Sequence, residues 1–441
     1  MIDEENVKPS AIAGEMEVSK TGGVAANDIA AKTYDKKYVL ALVILMGFVS
    51  NMDQYLSLIE MTANTYIYDH FNVTQSQYST KVGLFGIICF SVFILTWVCD
   101  IYGRKFGVVL MILLMGVPAL LIGALQDISL NLFVLLYTLT ITGTLSNTWE
   151  IPVAEASPPK KRGLYGSLTF LIGLLPFYAL FGEDIAEKWG WQWTYGIMGF
   201  VMIGVLVAVL IFMKESEIWK RGKEERGHVE NKYLESFKHL EKKDWEKVGL
   251  ISVVYLLWSV CFKLTTLWGG DYFKTVHNYS SDQWTTLLTI SGLMTLVGAL
   301  LSGIFMEKIG RIKTFLISAV ISLFSFIMLE FTGIAAFFPI IYLLMTSILA
   351  FIFVYMTEIF PTKSRGTCSG YVLTIARLAY VLGPMLAGAL LANNLDYSWY
   401  WLTCGIIVIV QLAIFLKFKP EETMGQSLEE IEGIVPPNPA D

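Results

Sequence analysis

The chain has 441 residues, of which 55% are hydrophobic and only 16% are charged, and its formal net charge is −6. A soluble domain carries about 25% charged residues, and the mean hydropathy here is +0.57. This composition excludes an ordinary soluble protein and predicts an all-α integral membrane protein. We expect the protein to lie in a lipid bilayer and to bind no nucleic acid.

The apolar residues fall into runs that are long enough to cross a bilayer as helices, which takes about 18 residues or more. Six runs precede a long polar segment and six follow it. The twelve predicted spans are 38–67, 81–99, 107–126, 131–154, 164–182, 191–213, 247–268, 284–306, 313–333, 335–359, 367–391 and 398–417. They predict an N-terminal tail at 1–37, a six-helix half at 38–213, a central loop at 214–246, a second six-helix half at 247–417 and a C-terminal tail at 418–441.

The N-terminal tail and the distribution of basic residues predict the orientation. Residues 1–33 are polar and do not resemble a signal peptide. If the N-terminus is cytoplasmic, the cytoplasmic segments hold 27 of the 32 Lys and Arg residues, and the outer loops hold only Lys81, Lys188 and Lys274. Because cytoplasmic loops retain basic residues, we expect both termini in the cytoplasm. We expect the membrane to be the plasma membrane.

Two loop motifs occur twice. The pattern E-x-x-P-x-x-x-R-G covers 155–163 and 358–366, which lie 203 positions apart. An acid-x-x-G-R pattern begins at Asp100 and again at Glu307, 207 positions apart. Two unrelated motifs at nearly the same offset indicate an internal duplication. The sequence therefore predicts two homologous, pseudo-symmetric halves with all four motifs on the cytoplasmic face.

Two basic residues remain inside predicted spans, Lys263 in span 7 and Arg377 in span 11. A charge at bilayer depth costs at least about 2.5–3.5 kcal/mol, so it usually faces a polar cavity and serves function. For Lys263, an alternative is a side chain that extends to the bilayer surface. We predict that both bases line a central substrate cavity.

Acidic residues also lie inside the spans. Asp53 is 15 residues into span 1, and Lys263 is at a similar depth in the related span 7, so we predict that the two face each other across the cavity. Asp53 is our candidate for the proton-coupling acid. Glu150 in span 4 is a second candidate, and its alternative role is an ion pair with the adjacent basic loop.

The six-plus-six arrangement and the D-x-x-G-R-K loop after span 2 resemble the major facilitator superfamily over residues 38 to 431. The E-x-x-P-x-x-x-R-G loops, "KWGWQWTYGI", "KESEIWKRGK" and "KPEETMGQSLEEI" resemble signatures of its branch of sugar porters and organic-acid/proton symporters. The resemblance implies a monomer that works by alternating access. It also implies a gate of cytoplasmic charges that holds the outward-open state. By resemblance, the gate comprises Asp100, Gly103, Arg104, Glu155, Arg162, Glu215, Glu307, Gly310, Arg311, Glu358 and Arg365.

The sequence departs from sugar porters where a sugar would bind. Phe170 replaces their span-5 glutamine, and span 7 has Lys263 in place of their glutamine pair. "IARLAYVLGPMLAGAL" in span 11 resembles a segment of aromatic-acid symporters, although Ser50 replaces the first acid of their span-1 D-x-x-D. A lysine and an arginine suit a carboxylate, which accepts charge-assisted hydrogen bonds.

We interpret the chain as a proton-coupled symporter of a small organic anion, such as a mono- or aromatic carboxylate. Lys263 and Arg377 would bind the carboxylate, with Tyr55, Trp149, Tyr178 and Trp258 as aromatic walls unless these face lipid. The alternatives are a sugar or polyol symporter, a drug exporter and a non-transporting nutrient receptor. The sequence has no ATP-binding G-x-x-x-x-G-K-[ST] motif, and its cysteines and histidines show no metal-ligand spacing. We expect no cofactor, no metal and no enzymatic activity.

Overall fold

The computed structural model describes residues 34–146, 148–158, 162–217, 219–220, 242–360, 365–392 and 398–425. Within these ranges the regular structure is helical and no strand occurs, which confirms the all-α prediction. Most of the predicted N-terminal tail, the central loop and the end of the C-terminal tail lie outside the described residues.

Helices occupy all twelve predicted spans, and five spans are interrupted. Among the described residues, ten helical segments are long and apolar enough to cross a membrane, and spans 2 and 4 consist of shorter pieces. In span order the helices are Lys36–Leu58 with Glu60–Phe71, Gln75–Phe85 with Val92–Tyr102, Arg104–Ala124, Leu130–Thr144 with Glu150–Ala156, Arg162–Gly173 with Phe177–Trp189, Gln192–Phe212, Lys242–Asp271, Ser281–Lys308, Arg311–Thr332, Phe337–Ile359, Arg365–Ala376 with Ala379–Ala392, and Ser398–Phe418. A 3₁₀ segment, Gly86–Ser91, joins the two pieces of span 2, and a π-helical turn, Tyr272–Val276, ends span 7.

The interruption in span 5 shows how the protein tolerates a broken helix inside the membrane. Pro176 has no N–H and cannot continue the helical hydrogen bonds, so nearby carbonyl groups lose their partners. The amide Nδ2 of Asn51 in span 1 donates to the carbonyls of Ile172, Gly173 and Leu175 at 3.2, 3.1 and 3.0 Å. A buried side chain of a neighbouring span therefore replaces the missing backbone partners, as the bilayer interior requires.

Among the described residues, the extensive helix packing between the two halves lies at one end of the helices. We call the end with the four duplicated motifs the motif face and the opposite end the far face. At the far face, Glu60–Phe71 packs on span 7, Gln75–Phe85 packs on Ala379–Ala392, and Phe177–Trp189 packs on span 8. No described helices of the two halves pack comparably at the motif face. The conformation is therefore closed at the far face.

Glycine makes the closest of these contacts possible. A Cβ at Gly86 in span 2 would lie 2.2 Å from the carbonyl oxygen of Tyr380 in span 11. A Cβ at Gly388 would lie 2.4 Å from Thr80 Oγ1. Spans 2 and 11 consequently touch through their backbones, and a methyl group at either glycine would force them apart.

We predict that Gly86→Ala destabilises this conformation by about 1–3 kcal/mol, the usual range for inserting a methyl group into a packed interface. Thermal unfolding of the detergent-solubilised protein should show a lower melting temperature. Gly204→Ala is the matched control because a Cβ there meets nothing within 4 Å. Equal melting temperatures for the two variants would contradict the close contact.

Candidate functional site

A buried ion pair joins the halves near the middle of the protein. Lys263 Nζ in span 7 lies 2.6 Å from Glu60 Oε1 in span 1, and the two side chains are 4% and 0% exposed. Thr266 Oγ1 donates to the same oxygen at 2.6 Å, and the Tyr137 hydroxyl donates to Glu60 Oε2. Removing two charges from water is expensive unless further hydrogen bonds satisfy them, and Glu60 receives three donors.

The prediction that Asp53 faces Lys263 is wrong in this conformation. Asp53 lies seven residues before Glu60 in span 1, or about 10 Å towards the motif face at 1.5 Å per residue. Its Oδ2 accepts a hydrogen bond from Trp149 Nε1 at 3.0 Å. The error arose from the span limits, because the helix of span 7 begins at Lys242 and so places Lys263 deeper than predicted.

Counting depth along the spans did not find Glu60. Glu60 and Lys263 are separated by 203 positions, the offset of the duplicated E-x-x-P-x-x-x-R-G loops, and Asp53 and Lys263 are separated by 210. The acid-x-x-G-R motifs, which lie nearer to spans 1 and 7, are 207 positions apart. The repeat offsets alone therefore do not identify the partner of Lys263.

Arg377 also bridges the halves. It lies at the interruption of span 11, and one guanidinium nitrogen donates to the carbonyl of Leu145 at 2.5 Å. Leu145 follows the last residue of the helix Leu130–Thr144, so Arg377 satisfies a carbonyl at the break of span 4. The Nε of Arg377 is buried and makes no hydrogen bond within the described structure. Its charge acts on the carboxylate of Asp53.

The four predicted aromatic residues are buried in the protein and do not face lipid. Tyr55 donates to the carbonyl of Thr194 at 3.0 Å, and Trp258 donates to that of Met345 at 2.8 Å, so each is held within its own half. Trp149 bonds to Asp53, as described above. Tyr178 packs near Gly292 of span 8, in the other half.

Glu150, the second candidate acid, is exposed at the start of the helix Glu150–Ala156. No described ion pair includes it. Lys160 and Lys161 of the adjacent loop lie outside the described residues, so an ion pair between Glu150 and that loop remains a prediction.

The duplicated motifs form two equivalent clusters on the motif face. In the first, an Arg104 guanidinium nitrogen lies 3.0 Å from Glu155 Oε1, and Glu215 Oε1 accepts from the Arg104 backbone N–H at 2.7 Å. Gly103, with φ of +118°, directly precedes the helix Arg104–Ala124, and a Cβ at this position would lie 2.3 Å from Glu215 Oε2. The glycine thus allows a carboxylate to cap the start of span 3.

The second cluster repeats the first. Arg311 lies 3.0 Å from Glu358 Oε1, Glu422 accepts from the backbone N–H of Arg311 at 2.8 Å, and Gly310 has φ of +102°. Glu422 was not among the predicted gate residues. It lies 207 positions after Glu215, the same offset as Gly310 from Gly103.

The contribution of these clusters to a gate remains a prediction. The Arg104–Glu155 pair and the Arg311–Glu358 pair each join helices of one half, and no ion pair joins the two halves at the motif face within the described ranges. Glu307 is exposed and enters no described ion pair. The side chains of Asp100, Arg162 and Arg365 lie outside the described part of the structure.

A further ion pair joins the halves at the far face. Lys274 Nζ after span 7 contacts Glu183 Oε1 of span 5, and these side chains are 13% and 5% exposed. Tyr66 of span 1 donates to the same oxygen at 2.8 Å, and its ring lies 4.9 Å from Lys274 Nζ. Lys274 therefore helps to hold the far face closed, a role that its predicted place in an outer loop did not indicate.

Comparisons with known proteins agree with this architecture. The sequence model of the Major Facilitator Superfamily matches residues 43–355 and 272–439. The putative metabolite transport protein YwtG of Bacillus subtilis is 26% identical over 76% of this chain and 81% of its own length. The cis,cis-muconate transport protein of Acinetobacter baylyi is 24% identical over 73% of this chain and 81% of its own.

The fold is also that of a solved transporter. The inward open structure of the xylose transporter XylE from E. coli superposes with a TM-score of 0.66 at 16% identity, covering 90% of this chain and 99% of XylE.

We predict that Glu422→Ala lowers the melting temperature, because it leaves the partly buried N–H groups of Arg311 and Ile312 without their acceptor. An unsatisfied buried donor costs about 1–3 kcal/mol. Glu421→Ala is the adjacent control, since that side chain is exposed and makes no described hydrogen bond. If Glu421→Ala is as destabilised as Glu422→Ala, the capping role of Glu422 is refuted.

Proposed function

Because the chain belongs to the Major Facilitator Superfamily and is a metabolite transporter and not an enzyme, we propose that it carries a small organic anion together with protons. The anion would be a mono- or aromatic carboxylate. The protein would act as a monomer in the plasma membrane, with both termini in the cytoplasm, and the motif face would then open to the cytoplasm.

The observation that carries this proposal is the Lys263–Glu60 pair. Lys263 and Thr266 already surround a carboxylate with charged and neutral donors at 2.6 Å. A substrate carboxylate could take the place of Glu60 and receive the same bonds, which are among the strongest that a carboxylate forms. Arg377 has a buried donor at Nε that no described group accepts, and this donor offers the substrate a second anchor.

The same pair supports coupling to protons. If Glu60 stayed ionised when the substrate arrived, two carboxylates would share one lysine, and like charges at such a distance disfavour the doubly ionised state. Protonation of Glu60 removes this repulsion and releases Lys263 for the substrate. Proton and substrate would then bind cooperatively. Asp53, which accepts a hydrogen bond from Trp149 and interacts electrostatically with Arg377, remains our second candidate for the coupling acid.

The names of the relatives support two substrate classes. Muconate is a carboxylate, which favours the anion. The likeness to the xylose transporter favours a sugar or polyol symporter, our second candidate function. Phe170 in place of a glutamine and the absence of a glutamine pair in span 7 argue against it, because neutral hydroxyl groups need amide partners.

We predict that aromatic and aliphatic monocarboxylates raise the melting temperature of the purified protein and that hexoses and pentoses do not. Ligand binding stabilises the folded state by mass action. In Arg377→Gln, carboxylate affinity should fall by about thirty-fold to several-thousand-fold, equivalent to 2–5 kcal/mol for a truncated buried charge partner. Lys81→Gln, a far-face lysine, is the control.

Because Arg377 also supports the break in span 4, a folded variant must first be confirmed by circular dichroism and gel filtration. Unchanged carboxylate affinity in a folded Arg377→Gln protein would disprove the anchor. Stabilisation of the wild type by sugars alone would favour the sugar symporter.

We predict that Glu60→Gln abolishes proton-driven accumulation in proteoliposomes, while exchange of substrate across a membrane without a pH gradient continues. The glutamine is neutral, as protonated Glu60 would be, so it leaves Lys263 available but cannot release a proton. Asp53→Asn is the parallel variant. Full uphill uptake in Glu60→Gln with loss in Asp53→Asn would transfer the coupling role to Asp53, and full uptake in both would refute coupling through either acid.

A further inference from the structure

Another buried acid, Asp271, lies between the halves at the far face and has no role in the site described above. Asp271 is the last residue of the helix Lys242–Asp271, and it is only 2% exposed. Its Oδ2 is buried and makes no hydrogen bond within the described structure. The backbones of spans 7 and 1 are too close here for water to lie between them, since a Cβ at Gly270 would lie 2.3 Å from the carbonyl oxygen of Met61 in span 1.

The surroundings of Asp271 come from both halves. Tyr68 and Gln75 of spans 1 and 2 face the carboxylate, and Asp69 contributes a like charge. Asp271 also interacts electrostatically with three further titratable groups: Tyr78 of span 2, Tyr400 of span 12 and Lys274 of the following turn. Asp271 is thus covered by the N-terminal half only while the far face is closed.

Lys274 is the one base in this group, and it is already engaged. Its ammonium group pairs with Glu183 and lies over the ring of Tyr66. Glu183 therefore has a cationic partner when the far face closes, and Asp271 has none at ion-pair distance among the described residues. An ionised carboxylate buried without a partner costs several kcal/mol, so such a group takes up a proton instead.

We propose that Asp271 is a proton-binding site that faces the far-face solution when the halves separate there and must be protonated before they close. On closing, an O–H bond forms at the Asp271 carboxylate with a proton from that solution. On reopening, the proton returns to the same side, so this site controls the far-face gate and carries no proton across the membrane. The proposal rests on alternating access but not on the nature of the substrate.

The test measures the far-face separation directly and without substrate. Spin labels are attached at Asp127→Cys and Ala336→Cys, two exposed positions in far-face loops of opposite halves. Pulsed electron spin resonance then gives the distance distribution at several pH values. The five native cysteines are buried, and the chain without the two introduced cysteines provides the background.

We expect the closed-to-open ratio to rise as the pH falls, by at most about tenfold per pH unit because one proton is bound. In Asp271→Asn, which is permanently neutral, the far face should be closed at every pH and the dependence should vanish. Asp271→Ser is a second neutral variant in case the first does not fold. Glu183→Gln is the matched control, because it weakens the Lys274 pair and should favour opening while keeping the pH dependence.

A pH-independent distribution in the parent chain would overturn the proposal. So would an unchanged pH dependence in a neutral Asp271 variant, since Glu60 or Asp53 would then be the titrating group. Neither result would affect the carboxylate proposal, which the uptake and melting experiments test separately.

Discussion

The contact between the halves depends on how charge is buried there. Lys263 and Glu60 come from different halves and satisfy each other at 2.6 Å, and neither could be left alone in this interior without a penalty of several kcal/mol. Closing the far face brings these charges together. Anything that neutralises or replaces one of them, such as a proton or a substrate anion, changes the free energy of the closed state. The conformational equilibrium and ligand binding are thereby linked through one pair of side chains.

The duplication explains why the charged clusters of the two halves are alike. On the motif face, each half keeps its own Arg–Glu pair and its own capping glutamate, and within the described ranges neither pair contacts the other half. Where the halves do meet, the buried charges are opposite. Two glutamates or two lysines in contact would repel each other, and here Glu60 of one half contacts Lys263 of the other.

Broken helices impose a second constraint on the same interior. Every interruption inside a bilayer frees backbone groups that need a partner. Asn51 supplies the partner for span 5, and Arg377 supplies one for span 4. Arg377 thus combines a structural bond with a buried Nε donor that no described group accepts. Because Arg377 contacts both halves, a movement of one half relative to the other changes its contacts. Such a residue suits a site at which binding and conformational change are coupled.

The sequence by itself determined the class, the twelve spans and the duplication, because hydropathy and repeated motifs are local properties of the chain. It identified Lys263 and Arg377 from their charge alone, and Glu215 from the family resemblance. Glu422 was missed although the repeat offset of 207 positions pointed to it, and the partner of Lys263 was missed as well. Only the tertiary structure decided that Glu60, and not Asp53, lies opposite Lys263, and that Lys274 and Asp271 lie at the closed far face. Depth along a helix can be counted from the sequence, but which side chains meet depends on how the two halves pack and on where the helices break.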